Sequence, residues 1–432
     1  MGRDENGRGN VTGRRGRRTR DVASTMTPSL ITGRAPFGTR AGIGVAAADL
    51  ALVLAGNTLP TPLFPAYREK WGLSSGTLTA VFAVYVVGIV VSLVVGGRLS
   101  DQIGRRPVLT ASLAIVTVSA VLGLVAPSVE WLYAARVLQG LSAGLVSGAA
   151  AAAITELTPD RSRAARTTAL ASMSGIASGL LIVGALAQDV PEPTRTPWAV
   201  YLALLIPAAI LTQRLPETSP SRSPVTIRLQ RLAVPAGARM SFTLLAAGGA
   251  LAFSCVGLFA ALGPTLVVSL LSIDNVLVGA AVASVAYLSS GATQLALRGR
   301  AAPPAAGLAI LAMGLGILIA AAQTATAVLL VLAAAVIGLG HGLAFLGTLA
   351  AVNRLTAPDQ RGAVASTYFL ANYLGVSVPV LGVGLLADAT SLLTATTGFA
   401  IVIGGLLLLL LTALVRTGRM PESEPAVEGQ PS

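Results

Sequence analysis

The strongest constraint on this fold is the spacing of its apolar runs. Twelve stretches, at residues 43–66, 77–97, 108–126, 132–155, 167–187, 197–213, 241–268, 275–297, 305–322, 326–350, 363–387 and 392–415, carry almost no charge. Most match the roughly 20 residues that cross a bilayer as a helix. In hydrocarbon every backbone polar group needs an internal partner, so runs of this kind fold as helices. Only 11% of the chain is charged, against about 25% in soluble domains. The predicted fold is therefore an all-α membrane protein with twelve transmembrane helices. The sixth run is the shortest, and only residues 323–325 separate the ninth from the tenth.

Charge placement gives the orientation. Arg68, Lys70 and Arg195 lie on one side and Arg136 lies within a run; the remaining Lys and Arg of the 30 fall on the side of the two chain ends. Basic loops stay cytoplasmic, so both ends are expected in the cytoplasm of a multi-pass protein in the cell membrane. The same distribution explains the net charge of +12 without nucleic acid. One cysteine, Cys255, and one histidine, His341, exclude a disulfide and a multi-histidine metal site. No cleavable signal pattern is visible, and no nucleophile–base set points to an enzyme.

The expected organisation is a disordered basic tail (1–40), a six-helix bundle (41–213), a Pro- and Arg-rich cytoplasmic linker (214–240), a second six-helix bundle (241–416) and a second tail (417–432). The bundles read as a repeat. Pro159-Asp160 after the fourth run and Pro358-Asp359 after the tenth are 199 residues apart, as are Asp189 and Asp388 after the fifth and eleventh. Paired six-helix repeats with a midplane site between them are a recurrent transporter plan.

Between the second and third runs stands Gly97-Arg-Leu-Ser-Asp101-Gln-Ile-Gly104-Arg105-Arg106-Pro107. Its G-x-x-x-D-x-x-G-R-R pattern resembles the signature loop of the major facilitator superfamily. Arg136-Val-Leu-Gln139-Gly140 resembles a second signature, R-x-x-Q-G in the fourth helix. The resemblance implies alternating access between two pseudo-symmetric bundles. It also implies a latch in which Asp101 accepts from the N-terminus of the eleventh helix, near Gly362, favouring the state closed to the cytoplasm. Arg105 and Arg106 can reach Asp101 or Asp160. The matching turn after the eighth run, Leu297-Arg298-Gly299-Arg300, lacks an aspartate, so the latch should be one-sided.

Charges inside a membrane are costly and usually face the bundle interior or a wet cavity. Asp49 is a candidate proton-coupling residue; the alternative is a static pair with a loop arginine. Arg136 and Gln139 share a helix face. Arg136 serves either in coupling or as a donor to backbone carbonyls of the first helix, and its depth sets it level with residues 58–60 rather than with Asp49. His341, in Gly338-Leu-Gly340-His341-Gly342, is either a proton relay or a hydrogen-bonded packing residue. Pro60, Pro62 and Pro65 break the outer half of the first run, either as a simple outer kink and loop or, since the resemblance implies that the first helix lines the cavity, as a segment where Asn57 contacts substrate. Gln294, Asn372 and Tyr373 are the candidate substrate contacts of the second half.

These features predict a monomeric secondary transporter for a small hydrophobic or amphipathic molecule. It needs no cofactor, draws on an ion gradient, most simply protons, and has lipid and substrate as its partners. Efflux is the favoured direction. The antiporter pattern G-x-x-x-G-P is incomplete, since Leu180 follows Gly175-Ile-Ala-Ser-Gly179, so a sugar or metabolite permease is the alternative. A non-transporting receptor or scaffold on the same fold is a third reading.

Overall fold

The structure, a computed structural model, describes residues 38–96, 99–219, 232–235, 237–297, 302–357 and 360–416. The tail at 417–432, all but the last three residues of the 1–40 tail, residues 220–231 and 236 of the linker, Gly97, residues 298–300 and the Pro358-Asp359 landmark lie outside them. The described residues fall within one compact unit, Pro36–Ser432.

Twelve long helices follow the twelve runs: α1 (Thr39–Trp71), α2 (Ser75–Val95), α3 (Arg105–Val125), α4 (Val129–Leu157), α5 (Arg161–Asp189), α6 (Thr196–Thr212), α7 (Arg239–Leu271), α8 (Val276–Ala296), α9 (Pro304–Thr324), α10 (Ala327–Arg354), α11 (Arg361–Ala389) and α12 (Leu392–Arg416). All but α6 are long and apolar enough to cross a membrane; α6, with 17 residues, is shorter. No strand occurs among the described residues. Val328, Leu409 and Ile206 are 75%, 67% and 64% exposed. Apolar side chains so exposed suit a lipid environment.

Side-chain caps start several helices. Ser74 accepts from Thr77 N, Asp160 from Ser162 N and Asn275 from Val278 N, satisfying donors that an α-helix leaves free. α1 ends at Gly72, whose φ of 64° is the left-handed conformation glycine tolerates. The outer piece of α1 is fastened to α6: Trp198 Nε1 donates to Tyr67 Oη at 2.8 Å, and Tyr67 Oη donates to the Thr194 carbonyl at 3.4 Å.

The packing repeats between the halves. α3 packs on α4, α2 on α4, α1 on α5, α1 on α4 and α3 on α6; α9 packs on α10, α8 on α10, α7 on α11, α7 on α10 and α9 on α12. Adding six to each helix of the first set gives the second set. The contacts between halves obey the same rule, since α5 meets α8 and α2 meets α11.

Two faces can be told apart. One bears the 99–107 turn (the turn face); the far face bears the α1–α2, α5–α6, α7–α8 and α11–α12 connections. At the far face the Asp388 carboxylate, at the end of α11, accepts from Ser75 N at 2.7 Å and Gly76 N at 2.8 Å, the first turn of α2. Its repeat counterpart joins α5 to α8: Gln188 Oε1 accepts from Val276 N at 2.8 Å. Deeper in, Ser284 Oγ donates to Ala177 O and Ser377 Oγ to Ala83 O. Gly384 lies so close to Thr79 that a Cβ there would collide with the hydroxyl. The halves are thus closed on each other at the far face.

Candidate functional site

The centre of the first half is built around two interrupted helices. Pro60 and Pro62 lack N–H groups, so α1 loses regular hydrogen bonds to Gly56 and Thr58 and passes through a 3₁₀ turn at Thr61–Leu63. α2 is interrupted at Val84, where Val87 N bonds the Val84 carbonyl three residues back. Arg136 of α4 serves both breaks. Its Nη1 donates to Asn57 O at 2.6 Å, to Asn57 Oδ1 at 3.2 Å and to Gln139 Oε1 at 2.7 Å. Its Nε donates to Val81 O at 3.1 Å and its Nη2 to Phe82 O at 2.9 Å. Gln139 Nε2 donates to Gly56 O at 3.0 Å, the carbonyl that Pro60 leaves without its regular donor. The guanidinium also stacks over Tyr85, 4.6 Å from the ring centre.

Close crossing of α2 and α4 makes this reach possible. A Cβ on Gly140 would strike the Tyr85 carbonyl, and one on Gly88 the Val137 carbonyl. The R-x-x-Q-G pattern therefore combines two fork-shaped polar side chains with the glycine that lets them approach. Arg136 donates to backbone carbonyls of α2 as well as of α1. It meets Asn57, one residue short of the 58–60 level expected from its depth, and not Asp49. Asn57 is partly exposed with its side-chain oxygen held by Arg136.

Asp49 lies elsewhere, on the seam between α1 and α6. It is 1% exposed, and its Oδ2 accepts from Thr212 Oγ1 at 2.8 Å. Oδ1 has no hydrogen-bond partner among the described residues. Among the described residues no arginine pairs with Asp49.

In the second half a polar chain runs from α8 to α10. Gln294 Nε2 donates to Ser290 Oγ at 3.1 Å, and Ser290 Oγ lies 2.7 Å from His341 Nδ1. His341 is 3% exposed. Phe253 packs edge-on to its ring with centroids 4.8 Å apart, and Phe345 lies parallel to it at 6.0 Å. Tyr373 and Phe369 extend this aromatic group through Phe253 and Phe345. Tyr287 and Tyr373 lie close enough to Tyr85 to interact electrostatically with it. The aromatic group therefore reaches across to the Arg136 site. Phe253, Phe345, Phe369, Tyr287 and Tyr373 are all partly exposed.

Asn372 departs from its expected role. It is fully buried, with its Oδ1 against Gly249 on the α7–α11 seam, so its side chain does not reach the surface that Tyr373 lines. A cleft of about 280 Å³ among Ala48, Ala55, Gly179, Ile182 and Tyr201 lies between α1, α5 and α6 and includes none of the expected site residues.

The turn also differs from expectation. Gly104, with φ 105°, starts α3 in a conformation suited to glycine. Asp101 pairs with Arg105, four residues on, and its side chain remains 61% exposed, so no helix terminus covers it. The expected bond to the start of α11 is thus not made in this far-face-closed arrangement. Arg105 also pairs with Glu156 of α4 at 2.8 Å. Asp160, the other acid expected near these arginines, caps its own helix instead. The N-terminus of α3 is held by Glu217, whose carboxylate accepts from Arg105 N at 2.7 Å and Arg106 N at 3.3 Å. Sequence reasoning missed Glu156 and Glu217. The only available signal was that they are acids in an otherwise basic turn-face layer.

Comparison with known proteins bears on the family. Residues 50–380 match the family model described as Major Facilitator Superfamily. The gentisate transporter of Corynebacterium glutamicum is 32% identical over 149 residues, 34% of this chain and 33% of that protein. The puromycin resistance protein pur8 of Streptomyces alboniger is 30% identical over 211 residues, 48% of this chain and 39% of that protein. The matches thus span only about a third of these relatives' lengths. The fold resembles a bacterial homolog of the human lysosomal transporter Spinster in an inward-facing, occupied conformation, with TM-score 0.67 and 14% identity over 88% of this chain and 96% of that one. On the family match, with a fold like that of the solved structure, this chain belongs to the Major Facilitator Superfamily and is a multi-pass membrane protein.

Proposed function

We propose that this transporter exports a small amphipathic molecule across the cell membrane by alternating access, driven by protons. Both chain ends are in the cytoplasm in this reading, and the structure is its cytoplasm-facing state. The observation that carries the reading is the polarity of the contacts between halves. Asp388 and Gln188 bridge them at the far face, while the Asp101 carboxylate at the turn face pairs within its own half. Aromatic rings concentrate between the halves in a chain that has only 9 Phe, 7 Tyr and 3 Trp, and such a lining suits an amphipathic cargo. Asp49 is the proposed proton carrier, because it is a buried membrane carboxylate with one oxygen unpartnered among the described residues.

The printed name of the Streptomyces relative, a resistance protein, agrees with export; that of the Corynebacterium relative, a gentisate transporter, favours a second reading, movement of an aromatic acid. Everted vesicles with an imposed pH gradient decide between them. Export by antiport predicts that cargo dissipates the gradient and accumulates inside the vesicles, and that Asp49→Asn abolishes both. Dissipation unchanged in that variant would overturn the assignment of Asp49. Cargo entry that needs no gradient would overturn coupling.

A further inference from the structure

The polar chain on α8 and α10 fixes where the His341 proton sits. A serine hydroxyl has one hydrogen to donate. Ser290 Oγ accepts from Gln294 Nε2, and the other partner found for it among the described residues is His341 Nδ1, which is therefore the acceptor open to the hydroxyl hydrogen. Nδ1 is then an acceptor, the imidazole is neutral, and its remaining hydrogen is on Nε2. That N–H is buried and has no partner among the described residues. An unsatisfied buried donor is destabilising, and native structures retain few of them.

The surroundings identify what could use it. The imidazole packs in a triangle with Phe253, at 4.8 Å, and Phe345, parallel at 6.0 Å, whose own rings lie 5.6 Å apart. Both phenylalanines are partly exposed, whereas His341 is not. A ring that displaced the partly exposed Phe253 would take the edge-to-face position beside the imidazole that Phe253 now holds. Asp49 and Arg136, the charged side chains within spans, are held at the α1–α6 seam and at the two helix breaks, so this pocket offers a donor without a full charge.

We propose that His341 Nε2–H is a recognition donor, and that the pocket behind Phe253 selects aromatic rings bearing a hydrogen-bond acceptor such as a ketone, an ester or a phenol ether oxygen. This rests on the reading of the chain as a small-molecule carrier and narrows its cargo to that class. Ser290 and Gln294 are positioning residues that set the tautomer.

Equilibrium binding to the protein in lipid nanodiscs tests it, with 2-acetylnaphthalene as probe, 2-ethylnaphthalene as its carbonyl-free match and empty nanodiscs subtracted. The wild type should bind the ketone about tenfold more tightly, the order expected for one buried hydrogen bond. A ¹³C-labelled carbonyl should show its stretching band at lower wavenumber when bound. His341→Phe should bring the two affinities together without weakening 2-ethylnaphthalene. Ser290→Ala, which keeps the imidazole but frees its tautomer, should reduce the preference only in part and serves should His341→Phe fail to fold. Equal affinities in the wild type, failure of both naphthalenes to bind, or a preference that survives both substitutions would overturn the proposal. No gradient is involved, so these results stand apart from the vesicle experiment: a protein that fails to transport would still show the preference, and one that exports other cargo would not.

Discussion

Asp388→Asn should weaken the far-face closure by a measurable and bounded amount. Two backbone donors of the first turn of α2 point at this carboxylate, at 2.7 and 2.8 Å. Hydrogen bonds to a charged acceptor contribute about 1.5–3 kcal/mol each, and an anion at a helix N-terminus adds about 0.3–1 kcal/mol. Asp388 is exposed, which screens the charge and brings both contributions toward their lower limits. Asparagine keeps one acceptor oxygen in nearly the same place, so only the charge and one bond are lost. The net loss is about 1.4 kcal/mol, a tenfold shift in the ratio of far-face-closed to far-face-open molecules. Electron spin resonance distances between labels at Glu130→Cys and Leu393→Cys, on α4 and α12 at the far face, would measure that ratio. Cys255 is fully buried, and Cys255→Ser removes it from the background. The longer distance should gain roughly tenfold in relative population, and Asp388→Ala should exceed that. Identical distributions in wild type and both variants would refute the argument that this cap holds the face shut.

Two further substitutions test other contacts. Arg136→Lys replaces a planar fork by a point charge with three donors, leaving about two of the acceptors at Asn57, Val81, Phe82 and Gln139 without a partner. A stability loss of about 2–3 kcal/mol is expected and should lower the midpoint of thermal unfolding in detergent; an unchanged midpoint would count against the clamp. Glu217→Gln removes the anion over Arg105 N and Arg106 N. It should cost about 0.5–1 kcal/mol and speed amide exchange at the start of α3, with unaltered exchange as the contrary result.

The spans were legible because a bilayer imposes its own ruler on apolar runs, and the outer break in α1 because proline cannot donate. Depth arithmetic along α4 set Arg136 level with residues 58–60 and away from Asp49, within a residue of the Asn57 that it meets. The repeat gave Asp388 only as a landmark. Its capping of α2 depends on the orientation of two helices more than 300 residues apart in the chain, which no local pattern encodes. The aromatic group was illegible for the same reason: Tyr85, Phe253, Tyr287, Phe345 and Tyr373 lie on five helices and share no motif. Asp101 shows a different limit. A signature turn belongs to every state of a carrier, so its residues cannot specify which partner they hold in one of them. Tyr373 was found as a polar residue on the right helix, and its neighbour Asn372, chosen on the same ground, is buried against Gly249.

The Arg136 guanidinium joins breaks in two different helices, so α1 and α2 do not have independent kinks. Straightening α1 at Gly56–Asn57 would draw the side chain from the Val81 and Phe82 carbonyls, and bending α2 further would pull it from Asn57. The two helices therefore flex as one linkage with a shared pivot. Through α2 and its Ala83 carbonyl, which accepts from Ser377 of α11, a bend begun in the first helix is felt directly by the opposite half.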